Sequence, residues 1–542
     1  MSYFLFFLIL FWFIREVKAI LFWLYLWQLK EYHLGRFIDH FRTRKGQDIF
    51  LNWLFFLKLI LTSLLFLYNS SYILLSVIFL LYFFEFLHTV QDLVQKRIKK
   101  PVLTKKTVFL IFISFVFTIA FFYPIFIYWK SGFVFWLLIF DILTPAIISA
   151  IVLIFQPISV FEKYRLIKKA KNKRKKFSNL LVIGITGSYG KTSTKEFLYT
   201  ILVEKFGKDK VLKTKEHQNS EVGISNCILK ELNETYEIFI VEMGAYNIGG
   251  IKLLCNIAQP KIGILTGINE QHMATFGSQE NIIKAKFELI NSLPEDGLAI
   301  LNWDNNFIKS TINSQKTKLH VKNQKNYSTK EKVDIWAENI KMKKDNLSFK
   351  VFSKDGDSAD FYVNLLGYQN VENILAATCC AKELGMNLKE ISRACQKIDA
   401  RQSGIWPKLG VNQINILDST YSANPNGVLS HLDYLKILPG KKVIVMPCLI
   451  ELGQASKNVH KKIGQKIGEV CDLAIITTKE RFKDIVEGAS LAKTNEDKKT
   501  EILFLDDPDK IFKKIKEFCS PHDTVILESR VPSKLINYLT KE

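Results

Sequence analysis

Apolar positions divide the chain into two regimes. Up to about residue 155 they form long, nearly unbroken runs, and beyond residue 180 they shorten to runs of four to six separated by helix-like stretches. The runs at about 50–68, 72–90, 107–129 and 133–155 are each long enough to cross a hydrocarbon core of ~30 Å. A fifth stretch, residues 2–27, is rich in Phe, Leu and Trp but broken by Arg15, Glu16 and Lys18. It reads as one tilted helix or as an interfacial segment followed by a short span; its length, aromaticity and mid-segment charges do not fit a cleaved signal peptide. The first regime predicts an α-helical transmembrane bundle of about five helices over residues 1–160.

The second regime alternates strand-like and helix-like runs, the pattern of α/β domains with mainly parallel sheets. Strands are predicted at 181–186, 237–242, 261–266, 298–301 and 361–365, with helices near 191–204, 278–292 and 370–384. A second series of apolar runs, at 413–417, 442–446, 473–477, 502–504 and 524–527, predicts a smaller Rossmann-like domain. The expected boundaries are 161–178 for a basic juxtamembrane linker, 179–400 for a central α/β domain and 401–542 for a C-terminal one. Asp399–Gly404, with the Pro-containing stretch after it, is a predicted hinge, and Lys168–Lys176 is expected to lie against anionic headgroups.

Charge sharpens the membrane reading. Lys and Arg exceed Asp and Glu by 22 over the chain, and residues 1–178, with 24 basic and 8 acidic residues, hold 16 of that excess. The excess flanks apolar segments and does not line a soluble domain, so the expected partner is membrane lipid and not nucleic acid. The connections 28–49, 91–106 and 156–178 carry five, six and nine Lys or Arg, while the opposite side offers only tight turns near Asn69 and Gly132, with Lys130. By the positive-inside rule the basic loops and everything after 178 are cytoplasmic and the N-terminus is external, as in an integral protein of the cell membrane. Lys58, Glu85 and Asp141 fall inside predicted spans; helix contacts, a substrate path and, for Lys58, snorkelling all remain open. All eight Cys lie beyond residue 178 without a Cys-x-x-Cys pair, the pattern of reduced cytosolic thiols and not of a disulfide framework or zinc site.

Candidate chemistry begins at Gly184–Thr194, GITGSYGKTST, between a predicted strand and a predicted helix. Such a turn binds phosphate: backbone N–H groups and a helix N-terminus face the anion, Lys191 reaches the β- and γ-phosphates, and the Thr192 hydroxyl can ligate Mg²⁺. Gly187, Ser188, Gly190 and Ser193 complete the nucleotide loop. Five residues separate Gly184 from Gly190, one more than in the usual Walker pattern. Further along, Glu242 ends a predicted strand, where a carboxylate can bind the nucleotide's Mg²⁺. His272 follows the next strand, and Lys286 falls on a helix. Asn370 and Asn373 start another helix at a spacing that can present two amides to an adenine edge. Asp418 ends the first strand of the last domain, facing a nucleotide across a cleft. Singly, each is more often structural: a loop His, a solvated Lys, an Asn cap.

Together and in this order, the segments resemble the Mur ligase family over about 180–535. The resemblance implies a P-loop central domain and a Rossmann-like C-terminal domain that use ATP and Mg²⁺ to join a carboxylate to an amine through an acyl phosphate. It implies D-alanyl-D-alanine or a similar amino-acid or dipeptide amine as one partner, and a muropeptide or lipid-linked cell-wall precursor as the other. It implies Thr192 and Glu242 on one metal ion, His272 and Lys286, as a carbamate, on the second, Arg401 reaching the phosphates from the hinge, and Asp418 on the ribose. Glu451, Gly453 and His460 match the family's C-terminal domain. Departures from the family pattern fall at Ser220, Gln369, Ser422, Pro447-Cys448 and Leu527-Glu528-Ser529, with Arg530 retained, and membrane helices stand where the family places a UDP-binding domain. Two other classes compete: a membrane-tethered amino-acid-polymer synthase of polyglutamate type, and a P-loop-driven transporter, which lacks an LSGGQ-type signature and an internal repeat.

Overall fold

A computed structural model describes residues 2–41, 44–68, 72–129, 132–314, 321–420, 424–492 and 500–540. Asn69, Lys130 and Ser422 lie outside the described residues. The chain forms two compact units, Met1–Tyr164 and Arg165–Glu542.

The first unit is helical. Residues Ser2–Leu29 make one continuous 28-residue helix. Leu8, Trp12, Ile20, Trp23, Leu24 and Trp27 recur on one face and are buried, while Phe6 and Phe13 are exposed. Four further segments form helices long and apolar enough to cross a membrane, at Gly46–Tyr68, Tyr72–Val94, Lys105–Tyr128 and Phe133–Lys175. The first helix differs from them in carrying Arg15, Glu16 and Lys18 at its centre, and those charges are paired inside the unit. Arg15 bridges to Asp141 and to Glu16 (2.9 Å). Lys58 reaches Glu85 at 2.8 Å and Asp141 at 2.7 Å. The Tyr82 hydroxyl donates to Asp141 at 3.0 Å, and Lys18 pairs with Asp92 at 2.6 Å. Lys58 is buried and does not snorkel, so Lys58, Glu85 and Asp141 hold helices together.

One expectation is corrected. The segment Lys168–Lys176 is no linker: the helix from Phe133 continues to Lys175, and from Arg165 onward it belongs to the second unit. Ala170 is in that unit's core. The Arg174 guanidinium donates to the carbonyls of Ala258 (2.9 Å), Phe177 (2.7 Å) and Leu180 (3.2 Å), and Lys173 to that of Leu229 (3.0 Å). A planar fork of donors satisfies carbonyls left over at chain turns within the second unit.

The second unit holds two sheets. The larger contains β1 (Leu181–Thr186), β2 (Val211–Lys213), β3 (Ile238–Glu242), β4 (Ile262–Leu265), β5 (Leu298–Asn302), β6 (Asn323–Ser328), β7 (Ile335–Met342), β8 (Leu347–Ser353) and β9 (Ser358–Val363). Their order is β2-β3-β1-β4-β5-β6-β7-β8-β9, parallel except where β8 pairs with β7 and β9. β1 is apolar up to its last residue, Thr186, because both its faces are covered. Ile183 and Ile185 pack with Phe197, Leu198 and Ile374 on one side, and Val182 packs with Phe239, Leu254 and Leu289 on the other. The smaller sheet contains β10 (Trp406–Leu409), β11 (Asn415–Ser419), β12 (Lys442–Met446), β13 (Leu473–Ile476), β14 (Glu501–Phe504) and β15 (Thr524–Glu528), in the order β10-β11-β15-β12-β13-β14, with only the β10–β11 pair antiparallel. The expected 361–365 strand begins earlier, and β2, β6, β7, β8 and β10 were not expected.

Candidate active site

The order of the larger sheet places the site. The chain leaves β1, builds β2 and β3 on one side, then crosses to β4 on the other, so the C-terminal ends of β3, β1 and β4 meet at a topological switch point. The loop after β1 occupies that crevice and runs into the helix Lys191–Phe206. Gly190, with φ 78°, is the residue before that helix, and a Cβ there would lie 2.4 Å from Asn373 Oδ1. A Cβ at Gly187 would lie 2.1 Å from Thr266 Oγ1. Glycine is thus required twice by contact with neighbouring elements. The loop is held from β4's end: Ser188 N donates to Gly267 O at 2.7 Å and Thr266 Oγ1 to Tyr189 O at 2.5 Å. Lys191 Nζ folds back on the carbonyls of Gly187 (2.8 Å) and Ser188 (3.3 Å). The first N–H groups of the helix, at Lys191, Thr192 and Ser193, have no partner within the helix and are available to an anion.

Glu242, buried at the end of β3, accepts from Lys195 Nζ (3.3 Å) and Asn219 Nδ2 (3.1 Å). Burial pushes its pKa up, but Lys195 and Lys191 hold it below the usual carboxylate value. Lys195 is wholly buried and was missed in the sequence. Its signal is spacing, since position i+4 from Lys191 shares a helix face with Thr194 and Leu198 and turns inward. Ser220, one of the departures, caps the helix Glu221–Lys230 by accepting from Gly223 N (3.3 Å), a role serine fills as well as asparagine.

Lys286 sits on the helix Gln279–Asn291, only 3 % exposed. Its ammonium lies 5.8 Å from the centre of the Phe276 ring and makes no hydrogen bond or ion pair among the described residues. Burial, reinforced by the Lys191 charge, lowers its pKa to about 7. Burial likewise lowers that of Lys191, against the pull of Glu242. His272, with φ 64°, binds Glu451 of the C-terminal domain through Nδ1 at 2.5 Å and meets the Tyr246 ring edge-on at 4.9 Å.

The remaining candidates divide. Asn370 and Asn373 are buried between helix and loop: Asn370 donates to Leu366 O (2.7 Å), Asn373 to Asn370 Oδ1 (3.2 Å), and Thr194 to Asn373 Oδ1 (3.4 Å). These contacts hold the two amides beside the phosphate loop. Arg401 is exposed and paired with Asp399 two residues back. Asp418, at the end of β11, is buried against Lys408 (2.7 Å) and Thr420; burial raises its pKa, and those partners bring it below the ordinary value. Gln369 accepts from Ser430. Glu528 is buried with Oε1 on His431 Nδ1 at 2.5 Å, and Ser419 contacts the same nitrogen at 3.2 Å. Sharing one nitrogen excludes a serine–histidine–acid relay. Among the described residues no three His, Cys, Asp or Glu form a metal cluster.

A phosphate loop at the switch point of one α/β domain, contacted by a second, defines a two-domain nucleotide-using enzyme. Residues 185–381 match the Mur ligase middle domain and residues 408–530 the Mur ligase glutamate ligase domain, and the chain belongs to the Mur ligase family. Among its relatives, the UDP-N-acetylmuramoyl-tripeptide–D-alanyl-D-alanine ligase of Bacillus subtilis (strain 168) is 26 % identical over 356 residues, 65 % of this chain and 74 % of the relative. The Escherichia coli (strain K12) enzyme of that name is 31 % identical over 288 residues, 52 % of this chain and 61 % of its own length. In structure, MurF from Acinetobacter baumannii gives a TM-score of 0.61 at 23 % identity, covering 70 % of this chain and 81 % of that one. MurF ligase from Thermotoga maritima in complex with ADP gives 0.56 at 26 % identity, covering 69 % and 83 %. Residues 1–184 lie outside both domain matches.

Proposed function

We propose that this chain is an ATP-dependent carboxylate–amine ligase that adds D-alanyl-D-alanine, or a similar amine, to a muropeptide precursor at the cytoplasmic face of a membrane. The observation that carries the reading is Lys286, a buried amine that forms no ion pair among the described residues and is close enough to Lys191 to feel its charge, which with burial outweighs the pull of Glu288. Two lysines crowded at a phosphate loop are a site built for added negative charge. With a pKa near 7, Lys286 is in good part neutral at physiological pH and able to react with CO₂, forming an N–C bond and releasing a proton. The resulting carbamate is a hard oxygen donor.

Loop N–H groups and Lys191 hold the nucleotide's phosphates, and Thr192, Glu242, His272 and carbamylated Lys286 would hold Mg²⁺. The metal supplies positive charge that lets two anions approach. The precursor's carboxylate then displaces ADP from the γ-phosphorus to give an acyl phosphate. The neutral amine attacks that carbonyl, phosphate leaves, and the nitrogen loses a proton. Arg401, on the turn between the domains, is free to swing toward the phosphates once it leaves Asp399. Asn370, Asn373 and Asp418 support the nucleotide from the loop and from the C-terminal domain. The named relatives favour a muropeptide over an amino-acid polymer as the product.

For the membrane, the inward pairing of Arg15 and Glu16 supports Ser2–Leu29 as a fifth span, and with five spans the basic loops put the N-terminus outside. Tags after Lys100 and at Glu542 should both be cytoplasmic and a tag at the N-terminus external. The functional test is mass spectrometry after incubation with ATP, soluble UDP-linked and lipid-linked muropeptides, and candidate amines. The expected product has gained the amine's mass less one water, with ADP and phosphate formed in equal amount. ATP hydrolysis stimulated only by a transported solute would sink the ligase reading.

A further inference from the structure

The segment Ile450–Gly453 of the C-terminal domain meets the turn His272–Ala274 of the central domain in more than a surface contact. Ala274 N donates to Glu451 O at 3.0 Å, and a Cβ at Gly453 would stand 3.2 Å from Ala274 N. Glu451 (φ 63°) and His272 (φ 64°) both hold left-handed backbone conformations, unusual for residues with a side chain. The segment is pinned within its own domain. Leu449 N donates to His460 Nε2 at 2.9 Å, so the proton of that fully buried ring is on Nδ1, which donates to Ser456 O at 2.6 Å. Cys448 N donates to Thr478 Oγ1 at 2.9 Å. His460 therefore acts on the loop and not on substrate. What the loop delivers is a carboxylate, 2.5 Å from His272 Nδ1.

We propose that Glu451 is a positioning residue that reaches across the domains to set the tautomer of His272. A carboxylate at Nδ1 keeps the ring proton there and leaves the Nε2 lone pair facing away, the form in which imidazole ligates a metal. The Tyr246 ring, edge-on at 4.9 Å, limits the rotation that would undo this. The second metal site is then armed only when the C-terminal domain is docked. By reciprocity, metal on His272 favours docking by the same factor. The inference rests on the two-metal ligase reading.

The test uses the full-length protein in detergent with a non-hydrolysable ATP analogue and Mn²⁺ as probe, read by electron paramagnetic resonance. Wild type should bind two Mn²⁺. Glu451→Ala should weaken one of them about 10- to 100-fold and leave the other unchanged. Glu451→Gln, which keeps shape and an acceptor oxygen, should fall between and guards against a folding defect. In turnover, the Mg²⁺ concentration for half-maximal rate should rise while the rate at saturating Mg²⁺ recovers, a split that general damage to the fold would not give. Two Mn²⁺ bound with wild-type affinities by both variants would overturn the role of Glu451 and leave the ligase intact. A single Mn²⁺ on wild type would overturn the two-metal reading as well.

Discussion

Between the helices of the first unit, Arg15 and Lys58 face Glu16, Glu85 and Asp141, and each of the five is in an ion pair. At the phosphate loop, Lys286 is buried and Lys191 half-buried, and neither forms a salt bridge among the described residues. Both places confine charge where solvation is poor. In the first, cations and acids compensate one another, so the cluster is complete and joins elements distant in sequence. In the second, positive charge is left over, a condition that costs stability until an anion arrives. Compensation marks a structural cluster, and its lack marks a binding site.

The sharpest way to break this contrast is to remove one charge from each place. Lys191→Ala should lower amide formation by on the order of 10³-fold or more, because its charge matters most as the γ-phosphate moves. The second unit should still melt cooperatively in calorimetry. Near-normal turnover would end the mechanism. Asp141→Asn should do the reverse. It leaves Arg15 and Lys58 short of an acid and should destabilise the first unit by about 3–5 kcal/mol, as for a broken buried pair. Turnover per folded molecule should hold. Lys58→Met combined with Asp141→Leu should recover part of the loss, since removing both partners leaves less charge unmatched. A melting midpoint that does not move in Asp141→Asn would show the cluster to be loose.

Where the hydrophobic pattern is set by two covered faces, as in β1, β3 and β12, the sequence is legible to within a residue or two. β6 was not, because NQKNYS buries only its last two residues and reads as loop until the neighbouring strands exist. β8 does alternate, burying Leu347, Phe349 and Val351, but an antiparallel extension is foreign to the parallel pattern around it. Loop, metal and lysine candidates could be found from motif order. What local sequence withholds is long-range pairing: Glu242 with Lys195, His272 with Glu451, and Arg174 with three carbonyls. Likewise the spacing of Asn370 and Asn373 does not reveal how closely Gly190 approaches Asn373.

The carbamate reading of Lys286 gives a smaller effect that sharpens the comparison. Lys286→Ala should lose on the order of 10²-fold in rate. Acetate, which can place a carboxylate in the vacated space, should restore part of it. With ¹³C-labelled CO₂, wild type should show a carbamate resonance that grows as pH rises through about 7, where the amine becomes neutral, and the variant should lack it. An onset near 10, as for an exposed lysine, would assign Lys286 to the solvated side of its helix.

The smallest effect tests whether unmatched charge truly has a cost. Lys286→Met keeps the length of the side chain and removes the ammonium, so it should lower the rate on the order of 10²-fold, as Lys286→Ala does, yet raise stability by about 1 kcal/mol, measured without CO₂ or nucleotide. The sign follows from the lowered pKa. Below about 7 the folded and unfolded wild type both carry the proton, and the folded state holds a buried charge that forms no ion pair among the described residues and has only the distant pull of Glu288. Between about 7 and the unfolded value near 10.4, the unfolded chain binds more protons than the folded one, so wild-type stability rises with pH. The advantage of Lys286→Met should therefore be greatest at and below pH 7 and shrink as pH climbs toward 10. The same comparison with Lys58→Met should be a loss at every pH in that range, because Lys58 leaves Glu85 and Asp141 behind. If Lys286→Met is destabilising at pH 6 as well, the ammonium has a compensating partner, and the two clusters are not opposites.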